Sequence, residues 1–275
     1  MNGIRATKWL FELYFGRGAV KGIVVKSFVH LGELVASIHF GLARDTSGLP
    51  KYINGVLGVG LPGESIFPPS FPLARPALDA FKIEMFSLFL SEYLKRETSL
   101  FMIGLPHAST YTGSITYETI HSPKASKWSI TMDSIWIQNK ELKLSVGLSE
   151  SVIDSGTSYI VLPTSIVLEL AARLNINDTV NMRVDCNLKT TGPPIKFKTA
   201  SGRVFSIPSS SYVISLPSRN DCELAIESHS HPFIVLGATF LRQYVSVYDL
   251  PRKRIGFAEA VHNCPSGHCN SCQIC

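Results

Sequence analysis

Long stretches of alternating apolar and polar residues limit what this chain can fold into. The clearest of them are residues 13–28, 34–42 and 127–137. Because successive side chains of a β-strand point to opposite faces, a period of two predicts strands with one buried face. Trp128, Ile130 and Met132 share one such face. Strands therefore form most of the expected structure.

Helical periodicity is rare. It occurs in residues 164–174, directly after Pro163, where apolar residues repeat every four positions. A second, short helix is expected at residues 77–81, after a proline-rich loop. With 20 Gly and 16 Pro and no short repeat, the composition is typical of a turn-rich β fold. The sequence thus predicts an all-β protein.

Composition excludes several classes of protein. Of the 275 residues, 45% are hydrophobic and 17% charged, which supplies a sizeable core and argues against disorder. The length suggests two domains or one large domain. The tight basic cluster Arg252-Lys253-Arg254 is too small for a nucleic-acid surface, so no nucleic-acid partner is expected.

Membrane insertion and export signals are not expected in this sequence. The longest uncharged run, residues 98–117, contains Pro106, His107 and many hydroxyl groups, unlike a membrane-spanning helix. Glu12 interrupts the apolar stretch near the N-terminus too early for a signal peptide.

Six cysteines are unevenly distributed. Cys186 and Cys222 lie in the body of the chain, and the even count favours an oxidising compartment. The glycosylation sequon Asn177-Asp178-Thr179 favours the same compartment. The other four are Cys264, Cys269, Cys272 and Cys275. Their spacing could hold Zn²⁺, but disulfides or disorder are the favoured interpretation, so neither a metal nor a cofactor is expected.

The octapeptide from Ser151 to Ser158 carries the clearest chemistry. Its apolar pair Val152-Ile153 leads into Asp154, and Gly156 allows a tight turn. The hydroxyls of Ser155, Thr157 and Ser158 are expected near the carboxylate, where hydrogen bonds hold it in place. An ordinary Asx turn between strands remains the alternative for these residues taken alone.

The octapeptide resembles the second active-site motif of pepsin-like aspartic proteases. Further segments resemble that family in the same order along the chain, from about Leu13 to Ala260. They are residues 14–22 (the flap hairpin), 40–43 and 55–60, 111–115 and 128–133, and 235–237, 240–244 and 254–258. The resemblance implies an all-β bilobal fold. Its expected parts are a partial N-terminal lobe (1–116), a C-terminal lobe (117–260) and a Cys-rich tail (261–275).

The resemblance also implies the site and its surroundings. Asp154 is the expected catalytic carboxylate at the base of a cleft, with Ser155, Gly156, Thr157 and Ser158 at the substrate. Phe15, Gly16 and Arg17 are the expected flap, and Cys186–Cys222 the expected disulfide. The family acts on peptides or proteins, in extracellular or endo-lysosomal compartments.

The sequence departs from the family at the first lobe. The family has one Asp-Thr/Ser-Gly turn per lobe. If the lobes are rough duplicates, Leu57 corresponds to Leu236 of the second lobe. The spacing from Asp154 to Leu236, counted back from Leu57, then places the partner Asp before Met1. Asp45-Thr46-Ser47-Gly48 is a near match, interpreted as a surface turn. Phe15 stands where the family has a tyrosine, so it lacks that hydroxyl. An incomplete first lobe is therefore expected, with unpaired strand edges that favour self-association.

A missing partner bears directly on activity. Two close carboxylates share one proton, so one takes a proton from water while the other polarises the substrate carbonyl; aspartic proteases are the usual example of this effect. A lone Asp supplies only a weak base. The chain is therefore expected to be an aspartic endopeptidase by family and inactive as a monomer. A homodimer that pairs two copies of Asp154, as in retroviral proteases, and a non-catalytic peptide-binding protein are the alternatives.

Overall fold

The computed structural model describes residues 4–15, 18–48, 53–61, 76–92, 98–122, 127–144, 146–216 and 221–262. Strands make up 53% of it and helices are few and short, so the expected all-β fold is confirmed. The chain divides into two compact units, one within Met1–Glu84 and one within Met85–Gln273. The lobe boundary expected at residues 116/117 stays a prediction.

The first unit is a three-stranded antiparallel sheet. Its strands are β1 (Arg5–Phe15), β2 (Gly18–Leu31) and β3 (Leu34–Ser47), in that order. A short helix, α1 (Ala77–Ala80), contacts β3. On one face, the ring of Phe11 lies so close to Gly41 that an added Cβ there would come within 2.5 Å of it. A larger residue at position 41 would therefore require the buried Phe11 ring to move.

The other face of this sheet exposes apolar side chains. Leu10 lies opposite Ile23, and Ile23 lies opposite Leu42, so the three form a row across all three strands. Leu10 is 71% exposed and Leu42 is 40% exposed. We call these three residues the open apolar row.

Residues 53–61 differ from the sequence expectation. Residues 55–60 of this segment were expected to supply a closing strand of the first lobe, because they are similar to that part of the family. The structure gives it no regular secondary structure, and Val56 and Leu57 are exposed. A strand requires a neighbour for its backbone hydrogen bonds, and none of the described strands pairs with this segment.

The described part of the second unit contains sixteen strands. They are β4 (Met85–Phe89), β5 (Leu100–Ile103), β6 (Tyr111–Thr119), β7 (Ser129–Ile137), β8 (Lys140–Lys143), β9 (Glu150–Ile153), β10 (Ile160–Pro163), β11 (Arg183–Val184), β12 (Ile195–Thr199), β13 (Val204–Ile207), β14 (Val213–Leu216), β15 (Asp221–Leu224), β16 (Ile226–His229), β17 (Ile234–Leu236), β18 (Tyr244–Asp249) and β19 (Arg254–Ala260). Its helices are α2 (Thr164–Arg173), α3 (Leu188–Thr191), α4 (Ser209–Tyr212) and α5 (Ala238–Leu241), with 3₁₀ turns at Ala108–Thr110 and Val146–Leu148.

Three sheets organise this unit. The largest has the order β13-β12-β7-β9-β17-β10-β16, with β8 beside β7. A five-stranded sheet runs β5-β4-β18-β19-β6, and a small one runs β11-β15-β14. The aromatic side chains of Phe205, Phe240, Tyr244 and Phe257 pack edge to face in the core between strands. The buried face expected for Trp128, Ile130 and Met132 is confirmed.

The expected disulfide is present. Cys186 and Cys222 are bonded, with their Cα atoms 5.1 Å apart. The closed loop contains the β12–β13 hairpin, which also pairs with β7. Cross-linking a loop of this kind stabilises a fold by about 2–4 kcal/mol.

The Cys-rich tail from residue 263 onward lies outside the described residues. Among the described helices, none has the length and apolar character needed to cross a membrane.

Candidate active site

Asp154 lies at the end of a strand held on both sides. It follows β9, which pairs with β7 on one side and with β17, in parallel, on the other. The backbone N–H of Asp154 donates to the carbonyl of Leu236 at 3.2 Å. Because β9 is central in its sheet, the start of the turn has little freedom to move.

Two donors of the turn fix the carboxylate. The backbone N–H of Gly156 donates to Oδ1 at 2.9 Å, and the Thr157 hydroxyl donates to Oδ2 at 2.6 Å. Each carboxylate oxygen can accept a second hydrogen bond, so both keep a site for water. The carboxylate of half-buried Asp154 is therefore oriented by the turn and keeps acceptor capacity on both oxygens.

The turn rests on the segment that follows β17. Ala238 N–H donates to the carbonyl of Thr157 at 2.8 Å, and both the N–H and the hydroxyl of Thr239 donate to the carbonyl of Ser158. A Cβ on Gly237 would come within 2.4 Å of Thr157 O and 2.2 Å of Tyr159 O. Only glycine allows this close approach of two backbones.

A buried aromatic cluster lies behind β9. The carbonyl of Trp128 accepts the Ile153 N–H at 2.7 Å, and the Trp128 ring packs edge to face on Tyr248. Phe86 stacks on Tyr248, with ring centroids 4.4 Å apart, and also packs edge to face on Trp128. Burial, with a further contribution from the Asp154 charge, raises the pKa of Tyr248 well above its usual range. Tyr248 therefore stays neutral next to the carboxylate.

The other residues expected at the turn behave differently. Ser155 and Ser158 are exposed, and within the described part of the chain neither hydroxyl donates to Asp154. The expectation of three stabilising hydroxyls is thus met by Thr157 alone. The Ser158 backbone carbonyl is used instead, as the acceptor for Thr239.

The expected flap is only partly described. Phe15 is the last residue of β1 and pairs with Gly18 of β2, so a hairpin forms there. Gly16 and Arg17 lie outside the described residues. Asp45 is exposed near the end of β3, so the segment expected to be a surface turn is the end of a surface strand.

The sequence did not predict which residues outside the turn contact it or lie behind it, namely Leu236, Gly237, Thr239 and Tyr248. Val235-Leu236-Gly237 was noted for its resemblance to the end of the second lobe, which was the available signal. Among the described residues, no group of three or more His, Cys, Asp and Glu side chains is placed to hold a metal ion.

Comparisons of the sequence with known proteins identify the family. The sequence model of the eukaryotic aspartyl protease family matches residues 4–260. Renin of Rattus norvegicus is 32% identical over 270 residues, covering 91% of this chain and 64% of the relative. Pregnancy-associated glycoprotein 1 of Ovis aries is 30% identical (94% and 68%), and pepsin A of Callithrix jacchus 27% (92% and 67%). The chain thus spans about two thirds of the length of these curated relatives. It belongs to the eukaryotic aspartyl protease family.

Proposed function

We propose that Asp154 performs the chemistry of an aspartic endopeptidase, in which a carboxylate activates water for attack on a peptide bond. The observation that carries the proposal is the pair of hydrogen bonds from Gly156 and Thr157, one to each carboxylate oxygen. They orient the group without using all of its acceptor sites. The substrates are peptides or proteins, as for the family.

The reaction needs a second carboxyl group. The carboxylate of Asp154 can take a proton from water, but a protonated partner has to polarise the scissile carbonyl and keep the shared proton. The 275-residue sequence contains no other Asp-Thr/Ser-Gly string. A positioned acid or base contributes roughly 10²–10⁴-fold, and the members of one catalytic unit fail together. We therefore propose that this chain as a monomer has negligible turnover.

The flap and the compartment complete the proposal. In this proposal Phe15, Gly16 and Arg17 form the flap over bound peptide, as the family resemblance implies. The Cys186–Cys222 disulfide supports an oxidising compartment, either extracellular or endo-lysosomal.

The test is acid hydrolysis of unfolded protein and of fluorogenic peptides by the purified 275-residue chain. The rate is measured across a range of protein concentrations, with Asp154→Asn as the inactive control. Thr157→Ser is the matched variant, because it keeps the hydroxyl that donates to Oδ2. Binding of a hydroxyl-containing transition-state analogue peptide is measured in parallel.

We expect analogue binding that Asp154→Asn weakens and no turnover at low protein concentration. Turnover proportional to monomer and abolished by Asp154→Asn would show that a partner acid lies elsewhere in the chain. A rate that rises with the square of concentration would assign catalysis to a pair of chains. Peptide binding that Asp154→Asn leaves unchanged would contradict the role of Asp154.

A further inference from the structure

The loop between α2 and β11 is anchored at both ends. We call residues 175–182 the sequon loop. At its start, Ile176 is buried and its N–H donates to the carbonyl of Ala171 at 2.9 Å. At its end, Met182 is buried and its carbonyl accepts the Leu224 N–H at 2.9 Å. The residues between these two anchors are held at the surface.

Asn177 is exposed within this loop, and its side chain is unengaged. Among the described residues, its amide group has no hydrogen-bond partner, and the Thr179 hydroxyl has none either. Asn181, four residues later, is the contrast. Both oxygens of the Asp178 carboxylate accept from its side-chain amide, at 3.1 and 3.3 Å. The loop is therefore stabilised through Asp178 and Asn181, which leaves Asn177 free for modification.

The sequence around Asn177 is an acceptor motif. Asn177-Asp178-Thr179 is the one Asn-x-Ser/Thr string of the 275 residues. The Cys186–Cys222 disulfide begins nine residues after Asn177 in the chain. Disulfides of this kind form in the oxidising lumen of the secretory pathway, which is also where sequons are modified. The same part of the fold thus combines an accessible acceptor with a feature of that compartment.

We propose that Asn177 carries an N-linked oligosaccharide. The donor is a lipid-linked pyrophosphate oligosaccharide. A bond forms between Asn177 Nδ2 and the anomeric carbon of the first sugar, while the bond from that carbon to the pyrophosphate oxygen breaks. The pyrophosphate lipid leaves with the electron pair, and Nδ2 loses one proton. Val180, three residues further along the sequon loop, is 89% exposed, and a hydrated oligosaccharide on Asn177 would shield this apolar side chain from other molecules.

The test uses the full chain behind a heterologous secretory signal in mammalian cells. A C-terminal tag with its own sequon reports entry into the lumen. Asn177→Gln and Thr179→Ala each remove the acceptor motif, and Thr179→Ser keeps it. Asn181→Gln is the matched control, since it changes a neighbouring amide outside any sequon. None of these residues belongs to the candidate active site.

The readouts are the gel shift after peptide-N-glycosidase treatment and mass spectrometry of the released peptide. We expect two removable glycans in the tagged parent, in Thr179→Ser and in Asn181→Gln, and one in Asn177→Gln and Thr179→Ala. After release, residue 177 should read as Asp. A parent chain that carries the tag glycan alone would overturn the proposal, as would a second glycan that persists in Asn177→Gln.

Discussion

Gly237 is the residue with the least room for change near the candidate site. A methyl group there meets two backbone carbonyls of the Asp154 turn, and backbone atoms cannot rotate away as a side chain can. Gly237→Ala should therefore lower the free energy of unfolding by about 1–3 kcal/mol or more, as overpacking of a close contact does. Urea unfolding followed by fluorescence measures this.

Gly147→Ala is the control for Gly237→Ala. A Cβ at Gly147 meets nothing within 4 Å. This substitution should change stability by no more than about 0.5 kcal/mol. Equal losses in the two variants would show that the close approach to Thr157 and Tyr159 is unimportant.

At this scale, the sequence predicts local contacts and misses distant ones. Asp154, Gly156 and Thr157 were identified together because the turn bonds are made within four residues. Gly237 and Tyr248 were not assigned to the site, since their contacts depend on how β9, β17 and β18 meet. Periodicity gives the buried face of a strand but not its neighbours in the sheet.

The loop that joins β16 to β17 depends on a neutral histidine. His229 Nε2 donates to the carbonyl of Phe233 at 2.7 Å, and Nδ1 accepts the His231 N–H at 3.3 Å. Burial lowers the pKa of His229, the bond to Phe233 opposes this, and the nearby His231 lowers it further. The Lys127 ammonium lies over the Phe233 ring and adds a positive charge at this loop. Protonation of His229 at Nδ1 would turn this acceptor into a donor, so that its N–H would face the N–H of His231 without an acceptor between them.

The sign of the pH effect follows from the lowered pKa. The unfolded chain binds a proton at His229 more tightly than the folded chain does. The stability that neutral His229 contributes is therefore complete above the unfolded pKa of about 6.5. It is lost as the pH falls through the lower pKa of the folded chain. His229→Gln keeps a donor for Phe233 without titrating. Between about pH 8 and pH 5, the melting temperature of this variant should fall by less than that of the parent. His121→Gln, which replaces an exposed histidine, is the control and should behave like the parent. Identical pH profiles for all three chains would contradict the prediction.

Elements with a strong local signal were predicted closely, and those that need a partner were not. Helix α2 was expected at residues 164–174 and spans Thr164–Arg173. Residues 13–28 were identified as one alternating stretch, whereas the structure divides them between β1 and β2. Residues 53–61 have strand-like composition yet form no strand. Segments that pair with a neighbouring strand and segments that do not can have the same residue composition. Composition alone therefore does not predict whether a strand partner exists.

At the scale of the whole molecule, the first unit should promote self-association. Among the described strands, β1 and β3 are the two edges of their sheet, and the open apolar row crosses the sheet between them. Exposed edges and apolar patches of this kind pair with other chains. We expect the purified chain to shift to larger species as its concentration rises, measured by sedimentation velocity.

Charge placed in the open apolar row should oppose this association. Leu10→Lys and Leu42→Lys should each shift the distribution toward monomer. Leu168→Lys is the matched control, because Leu168 is 51% exposed on α2 in the second unit. A parent chain that stays monodisperse at every concentration, or a control as effective as Leu10→Lys, would show that the row plays no part.

The order of strands in the five-stranded sheet has a consequence for synthesis of the protein. Strands β4, β5 and β6 leave the ribosome before β18 and β19. Among the described strands, however, β6 joins this sheet through β19, and β4 joins it through β18. Both connecting strands lie after residue 243. Translation runs from the N-terminus, and long-range pairing has to wait for both partners. The nascent chain therefore carries β4, β5 and β6 without their partner strands until β18 and β19 have been translated, and during that interval their unpaired edges are open to association with other chains.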